Sequence, residues 1–178
     1  MILQGQRLHL RPFTAADAAA VYEYTCRPDV MHYLPEGVFD EAAAAAFVAA
    51  HAHADAPYRA VVLNDSQRLV GHLCFEPYFG RHSYEIGWVF HPDVQGQGYA
   101  TEAAALLLAH AFGHMGVHRV IATCQPDNPA SYKVMEKLGM RREGHFLACI
   151  PKGDEWWDEY YYAILAREWA ESTRNTHE

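Results

Sequence analysis

Gln95-Gly96-Gln97-Gly98-Tyr99-Ala100 is the stretch that decides the fold, because it joins a strand to a helix. The apolar run at 84–90 has strand character, and the Ala- and Leu-rich run at 100–112 predicts a helix. Glycine lets a ligand approach the backbone closely, and the first N–H groups of a helix lack partners within it. A strand that enters a helix through two closely spaced glycines therefore predicts an anion-binding loop.

A second motif follows the next apolar strand, which is predicted at 120–124. Asn128-Pro129-Ala130-Ser131 opens a short helix, and Glu136-Lys137-Leu138-Gly139-Met140 closes it. Gly139 suits the position just after the last helical turn, where left-handed backbone is common. The pattern that identifies the chain is an order of elements: a strand, the glycine loop, a helix, a second strand and a helix that begins with Asn.

This pattern resembles the GNAT superfamily of acyl-CoA-dependent N-acetyltransferases. That family carries a Gln/Arg-x-x-Gly-x-Gly/Ala phosphate loop and, one strand later, an Asn-x-x-Ala/Ser motif. The residues that match these two motifs here are Gln95, Gly98, Ala100, Asn128 and Ser131. The resemblance covers residues 8–165 and is strongest to the RimJ/RimL-like branch of ribosomal-protein N-terminal acetyltransferases. It implies an α/β (α+β) domain with a mixed central sheet splayed between its fourth and fifth strands and helices on both faces.

The composition is that of a globular protein, since 51% of the 178 residues are hydrophobic and 20% are charged. We expect a single N-acetyltransferase domain over residues 1–178, with a polar tail from about residue 172. The absence of a long apolar run and of a secretory signal pattern favours a cytoplasmic protein that does not bind membranes. The formal net charge of −8 argues against direct nucleic-acid binding and is compatible with a cationic substrate.

The hydrophobic pattern predicts strands and helices along most of the chain. Pro28 and Pro35 are expected to break the chain between two early helices. The predicted strands are 8–12, Tyr58–Leu63, Leu69–Pro77, 84–90, 120–124, 142–150 and 156–165. The predicted helices are 14–26, 40–54, 100–112 and a short one from Pro129 to Gly139.

The family resemblance implies acetyl-CoA as the acyl donor and assigns residues to its binding. The loop residues Gln95, Gly96, Gln97, Gly98, Tyr99 and Ala100 would hold its pyrophosphate through backbone N–H groups. The main chain of Trp88, Val89 and Phe90 would contact its pantetheine arm like an added strand, and an N–H near Val89 would face the oxyanion. Further residues expected to bind the donor are Asn128, Ser131 and Lys133, and no metal is expected.

Glu85 is the candidate general base. It lies in the strand before the glycine loop, where relatives that this chain resembles carry a catalytic Glu. A carboxylate that is partly removed from water has a raised pKa, which suits proton transfer near neutral pH. The alternative interpretation is a structural carboxylate at the strand edge, paired with an arginine.

The general acid is where the sequence departs from the wider family. Many members have a Tyr seven residues after the Asn, and this chain has Met135 there, which cannot donate a proton. In the RimJ/RimL-like branch a Ser in the position of Ser131 is proposed to assist the departing thiolate, and Tyr132 is a further donor. The alternative for Ser131 is a helix cap.

Other conspicuous residues suggest structure rather than chemistry. His110, His114 and His118 lack an acidic or Cys partner at a useful spacing, so we do not expect a metal site. The four cysteines are far apart and are interpreted as buried thiols. The aromatic cluster at 156–162 is interpreted as core or a dimer seam, and its neighbouring carboxylates could receive a cation.

The sequence therefore predicts direct acetyl transfer from acetyl-CoA to a primary amine, without a cysteine-bound intermediate. The closest branch implies the N-terminus of a protein as acceptor. A small amine such as an aminoglycoside, a polyamine or an amino acid remains an alternative, as does a homodimer. A non-catalytic acyl-CoA sensor is the alternative from another class, and Met135 is the residue that supports it.

Overall fold

The computed structural model describes residues 2–175. The chain forms an eight-stranded mixed sheet in the order β1-β2-β3-β4-β5-β6-β8-β7, together with six α-helices. The strands are β1 Leu3–Gln4, β2 Leu8–Arg11, β3 Tyr58–Leu63, β4 Leu69–Pro77, β5 Ser83–Phe90, β6 Arg119–Cys124, β7 Arg141–Lys152 and β8 Glu155–Leu165. The helices are α1 Ala18–Thr25, α2 Pro28–Met31, α3 Glu41–His51, α4 Tyr99–His114, α5 Pro129–Lys137 and α6 Ala166–Asn175. The predicted mixed α/β class is confirmed.

The chain divides into two compact units. The first contains Met1–Phe75 and Trp88–Leu107, and the second contains Glu76–Gly87 and Leu108–Glu178. In the first unit β1, β2, β3 and β4 pair antiparallel in succession. In the second unit β5 pairs parallel with β6, and β8 pairs antiparallel with both β6 and β7.

The first unit has a core of apolar side chains from α1, α3 and the strands. Tyr24 is fully buried, and its hydroxyl lies 2.7 Å from Nδ1 of the buried His72. Burial lowers the pKa of His72 to about 3, with a smaller contribution from His51, so the imidazole is neutral at physiological pH. A neutral ring can be held in an apolar core when its polar atoms are hydrogen-bonded, which Tyr24 provides.

Local signals start and end the predicted helices. Before α1, the Asp17 carboxylate accepts a hydrogen bond from the Thr14 N–H at 2.7 Å as part of a capping box. The Asp40 side chain caps α3 by accepting from the Ala43 N–H at 2.7 Å. At the end of α5 the Met140 N–H bonds the Met135 carbonyl, and Gly139 has φ +78°, which is a Schellman motif.

Three elements were not predicted. The short strand β1 was missed, and Pro28 begins α2 instead of breaking the chain, because proline fits the first turn of a helix. Most of the predicted polar tail is the end of α6, which runs to Asn175, and residues 176–178 lie outside the described residues. The Glu168 carboxylate accepts from the Leu165 N–H at 2.8 Å at the start of this helix.

The hairpin of β7 and β8 extends further than predicted and contains an irregularity. Phe146 pairs with Glu159 and Ile150 pairs with Trp157, so three residues of β7 face one residue of β8. That residue, Asp158, accepts hydrogen bonds from the Ala148 N–H and from His145. This carboxylate therefore holds the bulge.

Candidate active site

The glycine loop lies in the first unit, between β5 and α4. After Phe90 the chain makes a short 3-10 turn, passes through residues 95–98 and enters α4 at Tyr99. Gly96 has φ +74° and Gly98 has φ +84°, a region that residues with a Cβ rarely adopt. Nothing lies within 4 Å of the position that a Cβ on Gly96 would take. The backbone itself therefore requires both glycines, and open space remains beside the loop for a ligand.

Two side chains predicted to bind the cofactor hold the shape of this loop. The Gln95 side-chain amide donates to the Phe90 carbonyl at 3.1 Å. The Gln97 amide donates to the Asp93 carbonyl at 2.8 Å. Both side chains fold back onto the protein, so any contact with an anion falls to backbone N–H groups at the start of α4.

The end of β5 is tightly packed. Val89 and Phe90 are buried, with 8% and 7% of their surface exposed. A Cβ on Gly71 would come within 2.4 Å of the Val89 carbonyl oxygen, so glycine is needed on β4 for this close approach. The Phe90 carbonyl already accepts a hydrogen bond from Gln95. The end of β5 therefore has fewer free backbone acceptors for a ligand than an unpaired strand edge would have.

Glu85 lies on β5 in the second unit and is half-buried. The Thr123 hydroxyl on β6 donates to its Oε1 atom at 3.3 Å. Burial raises the pKa of Glu85 above its usual value, the Thr123 hydrogen bond opposes that rise, and repulsion from Glu159 and Glu76 adds to it. Within residues 2–175 the groups that act on it are a hydroxyl and two carboxylates, rather than the arginine that the structural alternative required.

Asn128 and Ser131 lie at the start of α5 in the second unit. Asn128 is the N-cap, and its Oδ1 atom accepts from the Ser131 N–H at 3.2 Å. The Ser131 side chain lies close enough to the Cys124 thiol, at the end of β6, to favour the thiolate form of that sulfur. The cap is therefore Asn128, and Ser131 is already oriented toward a sulfur atom of the protein.

Cys124 is a buried thiol, but the interpretation of all four cysteines as buried is wrong, because Cys149 is exposed and Cys26 and Cys74 are half-buried. Burial raises the pKa of Cys124 to about 11, although the hydrogen bond from Ser131 favours the thiolate. A thiol with that pKa is almost wholly protonated near neutral pH, and the thiolate is the reactive form of cysteine. Cys124 therefore lacks the properties of a covalent nucleophile.

Met135 is a core residue of the second unit, with 1% of its surface exposed. Methionine suits such a position, because its flexible thioether fills irregular gaps in a core. The thioether at this position is explained by packing. It therefore gives no independent support to the interpretation of the chain as a non-catalytic sensor.

The remaining predicted residues differ in their surroundings. Tyr132 is half-buried and its ring meets that of Tyr160 edge-on, with centroids 5.9 Å apart. Lys133 is exposed on α5. In the aromatic cluster Tyr162 is buried, whereas Trp156 keeps 62% of its surface exposed. The cluster is thus partly core and partly surface.

Of the three histidines predicted to be structural, His110 and His114 lie on α4, and His118 follows the helix. The rings of His110 and His114 stack with centroids 5.2 Å apart. Burial lowers the pKa of His110, and His114 lowers it further. Across residues 2–175 no group of three or more His, Cys, Asp or Glu side chains is placed to hold a metal ion. In the same part of the chain, no helix has the length and apolar character needed to cross a membrane.

The chain is similar to known proteins in both sequence and structure. Residues 7–141 match the model of the acetyltransferase (GNAT) domain family. The chain is 56% identical over 169 residues to the uncharacterized N-acetyltransferase YnaD of Bacillus subtilis, covering 95% of this chain and 99% of the relative. It superposes with a TM-score of 0.91 on the crystal structure of a GNAT-family acetyltransferase from Bacillus anthracis. That protein is 53% identical, and the match covers 94% of this chain and 99% of the other.

Two more distant relatives carry names that specify an acceptor. The putative ribosomal N-acetyltransferase YdaF of Bacillus subtilis is 31% identical over 85 residues, which cover 48% of this chain and 46% of the relative. The spermidine N(1)-acetyltransferase of Vibrio cholerae is 25% identical over 147 residues, which cover 80% of this chain and 84% of the relative. The acceptors in these names are those of the two relatives.

Proposed function

Because the chain belongs to the GNAT family of acetyltransferases, we propose that it moves the acetyl group of acetyl-CoA directly to a primary amine. The amine nitrogen attacks the thioester carbonyl, the carbon–sulfur bond breaks, and CoA leaves as the thiolate. The amine proton passes to a base. The chemistry of Cys124 supports direct transfer, since a buried thiol with a pKa of about 11 is a poor nucleophile.

The glycine loop is proposed to hold the pyrophosphate of the donor. The open space beside Gly96 and the positive end of the α4 dipole support this assignment. Further along the donor, the main chain of Trp88–Phe90, the Asn128 amide and Lys133 are proposed to contact the pantetheine and phosphate groups. The N–H of Val89 is the proposed donor to the oxyanion.

Glu85 is the proposed general base, and its surroundings are the observation that carries the proposal. Burial, Glu159 and Glu76 raise its pKa, so it binds a proton more readily than an exposed glutamate does. That shift brings the pKa of the base closer to the operating pH, where proton transfer is most effective. Thr123 holds one carboxylate oxygen and thereby orients the group.

The N-terminal amine of a protein is the proposed acceptor. The resemblance to the RimJ/RimL-like branch and the relative named as a putative ribosomal N-acetyltransferase support it. Ser131, which that branch carries at the corresponding position, is proposed to donate a hydrogen bond to the departing thiolate. Its side chain lies near the Cys124 sulfur and lowers the pKa of that thiol, which supports a role in stabilising a thiolate.

A polyamine is the second candidate acceptor, and a specific observation favours it. The carboxylates of Glu76 and Glu159 both act on Glu85, and the chain carries a net charge of −8. Several negative charges around the base attract an acceptor with more than one positive charge. The relative named as a spermidine N(1)-acetyltransferase supports the same choice.

A thiol-release assay with acetyl-CoA separates these acceptors. The panel contains peptides with different N-terminal residues, polyamines, an aminoglycoside and free amino acids. Turnover with peptides alone supports the N-terminal acceptor, and turnover with polyamines alone supports the second candidate. A protein that binds acetyl-CoA without acetylating any of these compounds would contradict the proposed reaction.

Acetyl-CoA is expected to stabilise the folded protein, because a ligand that binds only the native state adds to the free energy of unfolding. At a concentration one hundred times Kd the gain is about 2.7 kcal/mol. Thermal unfolding with acetyl-CoA, CoA and an adenine nucleotide without the pantetheine arm measures it. An unchanged Tm at saturating acetyl-CoA would refute the assignment of the donor.

Ser131→Ala is expected to lower kcat by roughly ten- to a hundredfold, the value of a hydrogen bond to a charged group. The Kd for acetyl-CoA should change little, because the developing thiolate exists only during the reaction. Stability should also change little, since Asn128 caps the helix. Tyr132→Phe tests the other candidate donor in the same way, and equal kcat for Ser131→Ala and the wild type would exclude Ser131 from the chemistry.

A further inference from the structure

Arg7 makes contacts that the proposed function does not yet use. It lies in the first unit, between β1 and β2, and reaches the glycine loop. Its Nε atom donates to the Glu102 carboxylate at 2.6 Å, and its backbone N–H donates to the other carboxylate oxygen at 2.8 Å. Its Nη1 atom donates to the Gln97 carbonyl at 3.0 Å, and the guanidinium lies 4.4 Å from the centroid of the Tyr99 ring.

The backbone around Arg7 is held independently of its side chain. The Asn64 N–H donates to the Arg7 carbonyl at 2.9 Å, and the Asn64 side chain donates to the Gly5 and Gln6 carbonyls, both at 3.1 Å. A Cβ on Gly5 would lie 2.9 Å from the Leu8 carbonyl oxygen, so this turn is closely packed. The guanidinium therefore extends from a backbone segment that is held in place.

The contact with Gln97 determines the direction of the next N–H. In a trans peptide the C=O and the N–H lie on opposite sides of the bond. Because the Gln97 carbonyl points toward Arg7, the Gly98 N–H in the same peptide points away from it. The cation also favours this orientation, since it attracts the negative end of the peptide dipole.

The carboxylate of Glu102 gives Arg7 a second role. Glu102 lies in the first turn of α4, where an uncompensated negative charge would repel a phosphate at the start of the helix. Arg7 pairs with this carboxylate at 2.6 Å and offsets its charge. Loss of Arg7 would therefore release the loop peptide and also expose the anion site to a negative charge.

We propose that Arg7 is a positioning residue for the pyrophosphate loop: it orients the Gly98 N–H and neutralises Glu102, without contacting the donor itself. The inference rests on the proposed role of this loop in binding acetyl-CoA. It requires that Arg7 affect the pyrophosphate of the donor and leave the recognition of the pantetheine arm unchanged.

The test measures the affinity of four proteins for two ligands. The proteins are the wild type, Arg7→Gln, Glu102→Gln and the control Arg27→Gln, whose arginine pairs with Asp29 on the surface of the same unit. Acetyl-CoA is titrated by calorimetry, and S-acetylpantetheine, which lacks the pyrophosphate, is titrated by NMR. Thermal unfolding without ligand shows whether each variant is folded.

Arg7→Gln is expected to weaken acetyl-CoA binding by roughly ten- to a hundredfold, the range of a hydrogen bond that involves a charged group. S-acetylpantetheine should bind all four proteins equally. Glu102→Gln should change the affinity for acetyl-CoA less than Arg7→Gln does, because the hydrogen bond from Arg7 to the Gln97 carbonyl remains. Arg27→Gln should match the wild type for both ligands.

Two results would overturn the inference. If Arg7→Gln binds acetyl-CoA as tightly as the wild type does, Arg7 has no positioning role, while the proposed function stands. An equal loss for acetyl-CoA and S-acetylpantetheine would show general damage to the fold. Wild-type protein that fails to bind acetyl-CoA would instead refute the proposed function, and this inference with it. If Arg7→Gln does not fold, Arg7→Lys keeps the charge and loses the forked geometry, and an undiminished affinity for acetyl-CoA in that variant also counts against the inference.

Discussion

Replacing Glu85 by Gln is expected to lower kcat by about 10²–10⁴-fold, the contribution of a general base. The amide keeps the size of the side chain but cannot accept the amine proton. Affinity for acetyl-CoA should stay close to that of the wild type, because the base acts on the acceptor. Initial rates and calorimetric titration on the same preparation measure both quantities. Glu171→Gln, an exposed carboxylate on α6, is the matched control.

The dependence on pH distinguishes a base from a structural carboxylate. Wild-type activity should fall as the pH drops through the raised pKa of Glu85, because protonation removes the base. Glu159→Gln removes one of the charges that raise this pKa, so the fall should move to lower pH. A Glu85→Gln variant with wild-type rates from about pH 6 to 9 would show that another group takes the proton.

The same shift predicts the sign of a stability effect. A carboxyl whose pKa is raised in the folded state binds protons more tightly there than in the unfolded chain. Stability therefore falls as the pH rises from the usual value of 4.5 through the raised pKa. Glu85→Gln removes this unfavourable ionisation, so its Tm should exceed that of the wild type near pH 8. Below about pH 4, where the carboxyl is protonated in both states, the difference should vanish.

Replacing Gly98 by Ala is expected to weaken acetyl-CoA binding by more than about 100-fold, a loss of some 2.7 kcal/mol. Gly98 has φ +84°, and a residue with a Cβ loses roughly 1–2 kcal/mol in this conformation. If the backbone keeps its shape, the methyl group lies 3.5 Å from Nη2 of Arg7, the residue proposed to position the loop. If the backbone relaxes, the N–H groups move away from the phosphate. Either outcome weakens the anion site.

Gly37→Ala separates this effect from backbone strain. Gly37 lies in the same unit at φ +69°, with nothing within 4 Å of its Cβ position, and is far from the glycine loop in sequence. Both variants should lose similar stability in the absence of ligand, and only Gly98→Ala should lose the thermal shift with acetyl-CoA. Equal shifts in the two variants would mean that the pyrophosphate is held elsewhere.

Much of the fold could be predicted because its signals are local. The left-handed glycine at 139 acts within a few residues of the end of α5, so the sequence contains the whole signal. Strand and helix periodicity likewise depends on neighbours in the chain. Prediction from the sequence was wrong where one residue type occurs in two different structural contexts. Proline ends helices and also begins them, and Pro28 does the second.

The sequence also identified the candidate site by motif but could not supply its environment. The sequence shows that Met135 follows Asn128 by seven residues. Only the packing of α5 shows that the Met135 side chain lies in the core. Similarly, Ser131 was expected either to cap a helix or to assist a thiolate. The structure gives the cap to Asn128 and turns Ser131 toward Cys124, because β6 ends beside the start of α5.

What the sequence by itself determined is the set of local conformations and the residue types in the two motifs. The tertiary structure decided which distant groups share an environment. Arg7 meets Gln97 and Glu102 across some 90 residues of chain, and the pKa of Glu85 depends on carboxylates from two other strands. Such contacts depend on strand register and on how helices pack, which no short stretch encodes, and electrostatic energies vary with burial as well as with distance.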